Sequence, residues 1–146
     1  MKFELIIDKE KEEVITATVH QHSSLTAQIE SLVMQYSGSD RIAGCREDEI
    51  KMLNISDIEC ITTMDGKTWA IDRQGRKYRL KHRLYELEEI LPSMFVRINK
   101  STLANETRLE RFSVGFGGAV DAVFKCGYKE YVSRRCFAEM KRRYDL

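Results

Sequence analysis

The sequence predicts a mostly β fold with short helices, preceded by a small α+β unit at the amino terminus. Two turn signals, Asp65-Gly66 and Gln74-Gly75, separate runs rich in β-branched and aromatic residues, which is the pattern of a β-meander. Helical spacing of apolar residues is confined to a few short stretches. A chain of 146 residues, 42% apolar and 32% charged, can pack one compact domain with a small appendage.

The amino-terminal pattern predicts a β-β-α-β order. Residues 3–7 and 14–20 are apolar or β-branched and flank a charged run, so both are predicted strands. Residues 25–36 carry apolar side chains at i, i+4, i+7, i+8 and i+11, which predicts a helix. The stretch Ser37-Gly38-Ser39-Asp40 should end this helix, and residues 41–45 predict another short strand.

Two units follow from these patterns. Residues 1–46 are predicted to form an extension for dimerisation or regulation, and residues 47–146 a second unit of mainly antiparallel strands. Strands of the second unit are predicted at residues 57–64, 67–73, 76–81, 95–98, 109–116, 119–125 and 129–132. Leucines at i, i+3 and i+7 within residues 84–91 predict a short helix that Pro92 ends, and residues 133–146 predict a final helix.

Charge is divided unevenly along the chain, although the net charge is only +1. Residues 1–57 hold six Lys and Arg against eleven Asp and Glu, and the remaining residues hold eighteen against twelve. An acidic front and a basic back predict different roles for the two units.

No pattern in the chain predicts an enzyme, a metal site or a cofactor. The cysteines are Cys45, Cys60, Cys126 and Cys136. Their spacing fits no zinc pattern, so they are predicted to be reduced and mostly buried. The run Gly115-Phe116-Gly117-Gly118 lies between two predicted strands, which favours a hairpin turn over a phosphate cradle. Since no signal peptide or membrane span is visible, a soluble, cytoplasmic protein is expected.

Positive and polar side chains recur where predicted strands meet loops. The three places are Asp65-Gly66-Lys67-Thr68, Arg97-Ile98-Asn99-Lys100-Ser101 and Ser133-Arg134-Arg135. Arg and Asn can pair with base edges, and Lys and Ser can bind phosphate or bases. Each place taken alone favours an ordinary solvated surface over a binding site. Their recurrence in the basic part of the chain favours binding to nucleic acid.

From Glu47 to the carboxyl terminus, the chain resembles the LytTR-type DNA-binding domains of bacterial LytR/AlgR-like transcription regulators. The resemblance is carried, in order, by ISDIECITT, a glycine turn, LYELEEILP, FVRINKSTLANETRL and YVSRRCFAEMKRRY. Residues 1–46 do not resemble a receiver domain, so the likeness is to the standalone form, which has a short amino-terminal extension in its place.

The resemblance implies an elongated, mostly antiparallel β-fold that inserts loops, and no recognition helix, into successive major grooves of duplex DNA. It implies base contacts by Lys100, by Arg134, and by Lys67 or Thr68. Neighbours implied to contact phosphates or flanking bases are Arg97, Asn99, Ser101, Ser133 and Arg135. It also implies a structural role for Asn105, whose side chain would hold the loop through backbone hydrogen bonds.

The partners implied are double-stranded DNA with direct-repeat-like sites, a second copy of the chain, and a membrane-bound regulatory protein. No small-molecule substrate is expected. The alternative is a protein-interaction adaptor with a LytTR-like fold that does not bind DNA. Salt dependence of binding to random duplex separates the two, because only phosphate contacts give a steep dependence.

Overall fold

The computed structural model describes residues 1–37 and 40–146, which form two antiparallel sheets and three α-helices. The helices are α1 (Ser24–Ser37), α2 (Leu84–Ile90) and α3 (Arg134–Tyr144). The strands are β1 (Arg41–Arg46), β2 (Glu49–Asn54), β3 (Ile58–Met64), β4 (Lys67–Asp72), β5 (Lys77–Leu80), β6 (Phe95–Asn99), β7 (Thr102–Asn105), β8 (Leu109–Val114), β9 (Val120–Phe124) and β10 (Lys129–Val132). The predicted fold class, mostly β with short helices, is confirmed.

The larger sheet has seven strands in the order β2-β1-β5-β4-β3-β7-β6, and the smaller has the order β10-β9-β8. The Gly115–Gly118 segment connects β8 to β9 as a hairpin, as predicted. Two strands, β2 and β7, are absent from the sequence prediction. All four residues of β7 are buried, so its sequence Thr-Leu-Ala-Asn shows no alternation of polar and apolar side chains.

Polar side chains of β7 are satisfied inside the protein, which explains how a strand with this sequence can be buried. The hydroxyl groups of Thr102 and Thr62 lie 2.9 Å apart in a hydrogen bond between β7 and β3. Asn105 Nδ2 donates to the Ile58 carbonyl oxygen at 2.9 Å, and its Oδ1 accepts from the Thr107 N–H at 3.0 Å. Asn105 is therefore structural, as the resemblance implied.

The two faces of the large sheet pack into separate cores, following the alternation of side chains along each strand. One face, with Ile61 and Leu103, packs against Leu84 and Leu87 of α2. The other face, with Cys60, Ile71, Ile98 and Ala104, packs against the small sheet and Met140 of α3. The small sheet and α3 are thus held against the large sheet by a shared apolar layer.

A buried ion pair joins the two sheets at one end of this layer. The Glu59 carboxylate, which is 0% exposed, accepts two hydrogen bonds from Arg108, from Nε and Nη2, each at 3.0 Å. It also accepts from the backbone N–H of Cys126, in the turn between β9 and β10, at 3.1 Å. The strand pairing shifts register between Ile58 and Cys60, and such a bulge changes the direction in which a side chain points.

Three of the four cysteines are at least partly buried, in line with the prediction, and Cys45 is exposed. Burial raises the pKa of the Cys60 thiol well above its usual value, and nearby acidic groups raise it further. Burial also raises the pKa of the Cys126 thiol, which lies close to the Glu59 carboxylate. A raised thiol pKa disfavours the reactive thiolate, so these two cysteines act as packing residues.

The amino-terminal strands are where the structure departs from the sequence prediction. Residues 1–23 contain no strand and are exposed throughout, so the predicted strands at 3–7 and 14–20 are wrong for the single chain. Their β-branched sequences favour a strand, but a strand needs a neighbour to complete its hydrogen bonds, and the described residues provide no such neighbour. The predicted helix is confirmed as α1, and its predicted end at Gly38-Ser39 lies outside the described residues.

The predicted division between residues 1–46 and 47–146 falls inside the hairpin formed by β1 and β2. Six residue pairs join these strands, from Arg41 with Asn54 to Arg46 with Glu49. β1 also pairs with β5. Residues 41–46 therefore share a sheet with the following part of the chain, and the functional division into two units stays a prediction.

Substitution of Arg108 by alanine should lower the free energy of unfolding by about 3–5 kcal/mol, because it leaves the Glu59 carboxylate buried without its charge partner. The matched control is Arg111→Ala, which removes an exposed pair with Glu110 and should cost at most about 1 kcal/mol. Urea denaturation measures both. Similar losses in the two variants would contradict the role assigned to the buried pair.

Candidate nucleic-acid interface

The turn between β3 and β4 places Lys67 at one end of the large sheet. Asp65 and Gly66 have φ values of 53° and 73°, the left-handed conformation that a tight hairpin turn requires. Met64 pairs with Lys67 across this turn. The Lys67 side chain is exposed, whereas Thr68 is buried. Lys67 is therefore available to a ligand, and Thr68 packs within the sheet.

The turn between β6 and β7 lies beside the β3–β4 turn. The Thr63 N–H donates to the Ser101 carbonyl oxygen at 2.9 Å. Within the turn, Asn99 Oδ1 accepts from the Ser101 N–H at 2.7 Å, and Arg97 Nη1 donates to the Lys100 carbonyl oxygen at 2.5 Å. Ser101 is half-buried and Lys100 is exposed. The backbone on either side of Lys100 is thus held by side chains of its own hairpin.

The junction between β10 and α3 reaches the same end of the molecule. Asn99 Nδ2 donates to the Tyr131 carbonyl oxygen at 2.6 Å, and the Ser133 N–H donates to the Ile98 carbonyl oxygen at 2.8 Å. Ser133 Oγ accepts from the Cys136 N–H at 3.2 Å and caps α3. Three turns that are distant in sequence therefore meet at one place.

Five exposed cations lie on these turns and at the end of β5. They are Lys67, Lys81, Lys100, Arg134 and Arg135, and together they are called the basic rim. Across residues 1–37 and 40–146, none of the five forms an ion pair. The sequence analysis missed Lys81, which adjoins the Lys67 end because Thr68 pairs with Leu80. The basic run of residues 76–83 was the signal that could have identified it.

The other predicted contact residues stabilise the turns and are less available to a ligand. Arg97 donates to Glu88 of α2 through Nε at 3.1 Å and Nη2 at 2.9 Å, and its side chain is 30% exposed. Asn99 is buried and uses both ends of its amide group. Ser133 is occupied by the helix cap. The structure thus separates the predicted set into exposed cations and residues that position them.

Arg134 and Arg135 occupy an unfavourable place for helix stability. They lie in the first turn of α3, which contains no acidic residue, although the helix dipole favours negative charge at this end. Each exposed cation placed there costs a few tenths of a kcal/mol, up to about 1 kcal/mol. Because this arrangement does not stabilise the helix, it favours a role in binding a negatively charged ligand.

The amino-terminal helix attaches at the end of the large sheet that is far from the basic rim. Glu30 of α1 accepts hydrogen bonds from the backbone N–H of Ser93, at 3.0 Å, and from its hydroxyl group. The Ile55 N–H donates to the Asp40 carbonyl oxygen at 3.0 Å. Ser93 and Ile55 lie just before β6 and β3, whereas the rim lies at the opposite ends of these strands. Helix α1 is thus attached away from the rim.

Comparison with protein families places the basic rim within a known domain. The family model of the LytTr DNA-binding domain matches residues 48–145, which include all five cations of the rim. The chain belongs to this family. Two proteins of Staphylococcus aureus, from strains MSSA476 and NCTC 8325, are 31% and 30% identical to it. Both are described as uncharacterized HTH-type transcriptional regulators, and each comparison covers 100% of this chain and 99% of the relative.

A solved structure confirms the LytTr-like fold. The LytTr DNA-binding domain of a methyl-accepting/DNA response regulator from Bacillus cereus matches with a TM-score of 0.65 at 17% identity. The match covers 73% of this chain and 98% of that structure. In the described part of this LytTr protein, no two helices follow each other without strands between them. The described residues therefore do not form the helix-turn-helix that the names of the relatives mention.

The described part of the LytTr chain holds neither a cluster of metal-binding side chains nor a helix that could span a membrane. Within residues 1–37 and 40–146, no group of three or more His, Cys, Asp and Glu side chains could hold a metal ion. In the same part of the chain, no helix combines the length and the apolar character that are needed to cross a membrane.

Substitution of Asn99 by alanine should lower the free energy of unfolding by about 1–3 kcal/mol, because the buried partners of its amide group lose their hydrogen bonds. Lys100→Ala, at the neighbouring exposed position, should change it by no more than about 0.5 kcal/mol. Both values can be measured by urea denaturation. Equal stability of the two variants would show that Asn99 does not hold the turn.

Proposed function

We propose that this LytTr protein is a sequence-specific transcription regulator that binds duplex DNA by inserting the turns of its basic rim into successive major grooves. The observation that carries the proposal is the meeting of Lys67, Lys100 and Arg134 at one end of the molecule. The family match and the description of the Staphylococcus aureus relatives as transcriptional regulators support the same conclusion.

The shape of the rim suits a groove. The major groove of B-DNA admits an α-helix or a two-stranded β-ribbon. The β6–β7 hairpin is such a ribbon, and it carries Lys100 at its tip. Lys100 and Arg134 lie on either side of the hydrogen bond between Asn99 and the Tyr131 carbonyl oxygen. The two cations can therefore contact neighbouring parts of the duplex. Arg can form two hydrogen bonds to guanine, and this pairing would give Arg134 a part in sequence recognition.

The turns that carry the rim cations are held in place before DNA binds, and this would favour binding. The residues that hold the turns, Arg97, Asn99 and Ser133, already have their hydrogen bonds within the protein. Less conformational entropy is then lost when the turns meet DNA, and a smaller loss increases affinity. The predicted contacts of Arg97, Asn99, Ser133 and Thr68 with DNA are accordingly reassigned to positioning, and the contacts of the exposed cations are retained.

Two copies on a repeated site complete the proposal. One domain offers few base contacts, and a second copy on a direct-repeat-like site adds contacts and raises the effective concentration. The end that carries α1 lies away from the rim and is free to meet the second copy or a membrane-bound regulatory protein. The competing proposal is an adaptor that uses the same surfaces for protein contacts alone.

The affinity for random-sequence duplex should fall steeply as salt rises. If each of the five rim cations neutralises one phosphate, the slope of log K against log salt concentration is about −4.5. Fluorescence anisotropy titrations between low and physiological salt measure this slope. A flat dependence, or no binding at low salt, would favour the adaptor.

Arg134→Ala should weaken binding to a selected site by about 1–3 kcal/mol and leave the melting temperature unchanged. The site is first obtained by selecting bound sequences from a random duplex pool. Arg76→Ala is the matched control, since Arg76 is exposed in the β4–β5 turn at the other end of the sheet. The assignment of Arg134 fails if both variants bind as tightly as the unaltered protein.

A further inference from the structure

The amino-terminal arm, residues 1–23, exposes a large amount of apolar side chain. Its exposed large apolar residues are Met1, Phe3, Leu5, Ile6, Ile7, Val14, Ile15 and Val19. Ile15 is 70% exposed. Single apolar residues are normal on a surface, but this many within 23 residues favour an interaction site. The two Staphylococcus aureus relatives align over this arm as well as over the DNA-binding domain.

Residues 14–20 have one apolar face, and this face is directed at α1. Ile15, Ala17 and Val19 line an open groove of 660 Å³ whose other walls include Ile29 of α1 and Ile90 at the end of α2. Their neighbours Thr16 and Thr18 do not line it. Alternate residues of an extended segment lie on opposite sides, so the segment has the two-sided pattern of a half-buried strand.

The backbone of residues 14–20 lacks the partner that this pattern requires. Among the described residues, its N–H and C=O groups form no hydrogen bond, and residues 14–20 belong to neither sheet. The β-branched residues at positions 14, 15, 16, 18 and 19 favour a strand. A second strand beside this segment would complete the hydrogen bonds of its backbone.

The sequence of the segment is self-complementary about Ala17. If two copies pair antiparallel with Ala17 opposite Ala17, then Ile15 lies opposite Val19 and Thr16 lies opposite Thr18. Pairs of β-branched side chains and pairs of threonines are favourable across antiparallel strands. Farther out, Glu12 of one copy meets His22 of the other, so a carboxylate faces a group that can donate a hydrogen bond. A two-fold interface requires this reciprocity, in which residue i contacts j and j contacts i.

We propose that residues 14–20 pair antiparallel with the same residues of a second copy, about a two-fold axis at Ala17, and that this pairing forms the homodimer. In the pair, Ile15, Ala17 and Val19 of both copies lie on one side and cover the grooves beside both α1 helices. Thr16 and Thr18 lie on the other side and face water. The interface is at the end of the protein far from the basic rim, so both rims stay accessible.

This interface rests on the homodimer that is part of the proposed function. Its tests contain no DNA, so they can disprove the interface without disproving DNA binding.

A cysteine cross-link tests the register of the pairing in the full chain. Exposed Cys45 is first changed to serine, and Ala17→Cys or Val14→Cys is then added. A short bis-maleimide should link Ala17→Cys chains into a covalent dimer, because the two positions face each other. Val14→Cys should stay monomeric on a denaturing gel, since the two copies of position 14 lie roughly 20 Å apart along the paired strands. Equal linking in both variants, or none in Ala17→Cys, overturns the proposal.

The mass of the protein in solution tests the pairing without a cross-linker. The unaltered chain should elute in light-scattering chromatography at twice its 17.0 kDa mass. A chain with both Ala17→Pro and Thr18→Pro should elute as a monomer with an unchanged melting temperature, because the N–H groups of adjacent strand residues point to opposite edges and one of the two must face the partner strand. Thr18→Val, which keeps the donor and the β-branched shape, should stay dimeric. A dimeric double-proline chain or a monomeric unaltered chain contradicts the proposal.

Discussion

The joining of the two sheets is the constraint on which the rest of this LytTr structure depends. An apolar layer holds them together, but apolar contacts do not by themselves set a direction or a register. Polar contacts at the two ends of the layer supply both. Glu59, Arg108 and the Cys126 N–H make the contact at one end, and Asn99 with the Tyr131 carbonyl oxygen makes it at the other. Each involves buried groups that lose several hydrogen bonds if the sheets shift.

The contact at Asn99 has a direct functional consequence. Because the same amide group binds the β6–β7 turn and the end of β10, it fixes the distance between Lys100 and Arg134. The cations themselves make no ion pair in the described chain, so their charge is not neutralised by the protein. A rigid frame with free cations at its edge combines a defined geometry with a strong electrostatic attraction to phosphate.

The two ends of the molecule have opposite character. The basic rim is polar, charged and held by a dense set of hydrogen bonds. The amino-terminal arm, residues 1–23, is exposed and carries both apolar and charged residues. It is joined to the domain mainly through Glu30 and Met34 of α1. Because α1 is attached away from the rim, the proposed self-association and the proposed DNA binding would use separate surfaces, so that one could change without blocking the other.

The local pattern of the sequence determined most of the elements. Turn signals such as Asp65-Gly66 and the leucine spacing of α2 depend on neighbouring residues alone, so β3, β4, β5 and α2 could be predicted. The recurrence of positive and polar side chains at predicted strand ends located the three turns, and the resemblance to the LytTR family assigned them to DNA binding. Only the tertiary structure identified β7, because Thr102 and Asn105 are buried through hydrogen bonds to β3 and not through apolar alternation. It also decided which site residues are exposed: Arg97 and Asn99 look like ligands in the sequence, but Glu88 and Tyr131, distant along the chain, engage them. The unpaired segment of residues 14–20 follows the same principle, since local sequence can favour a strand but only a neighbouring strand can complete its hydrogen bonds.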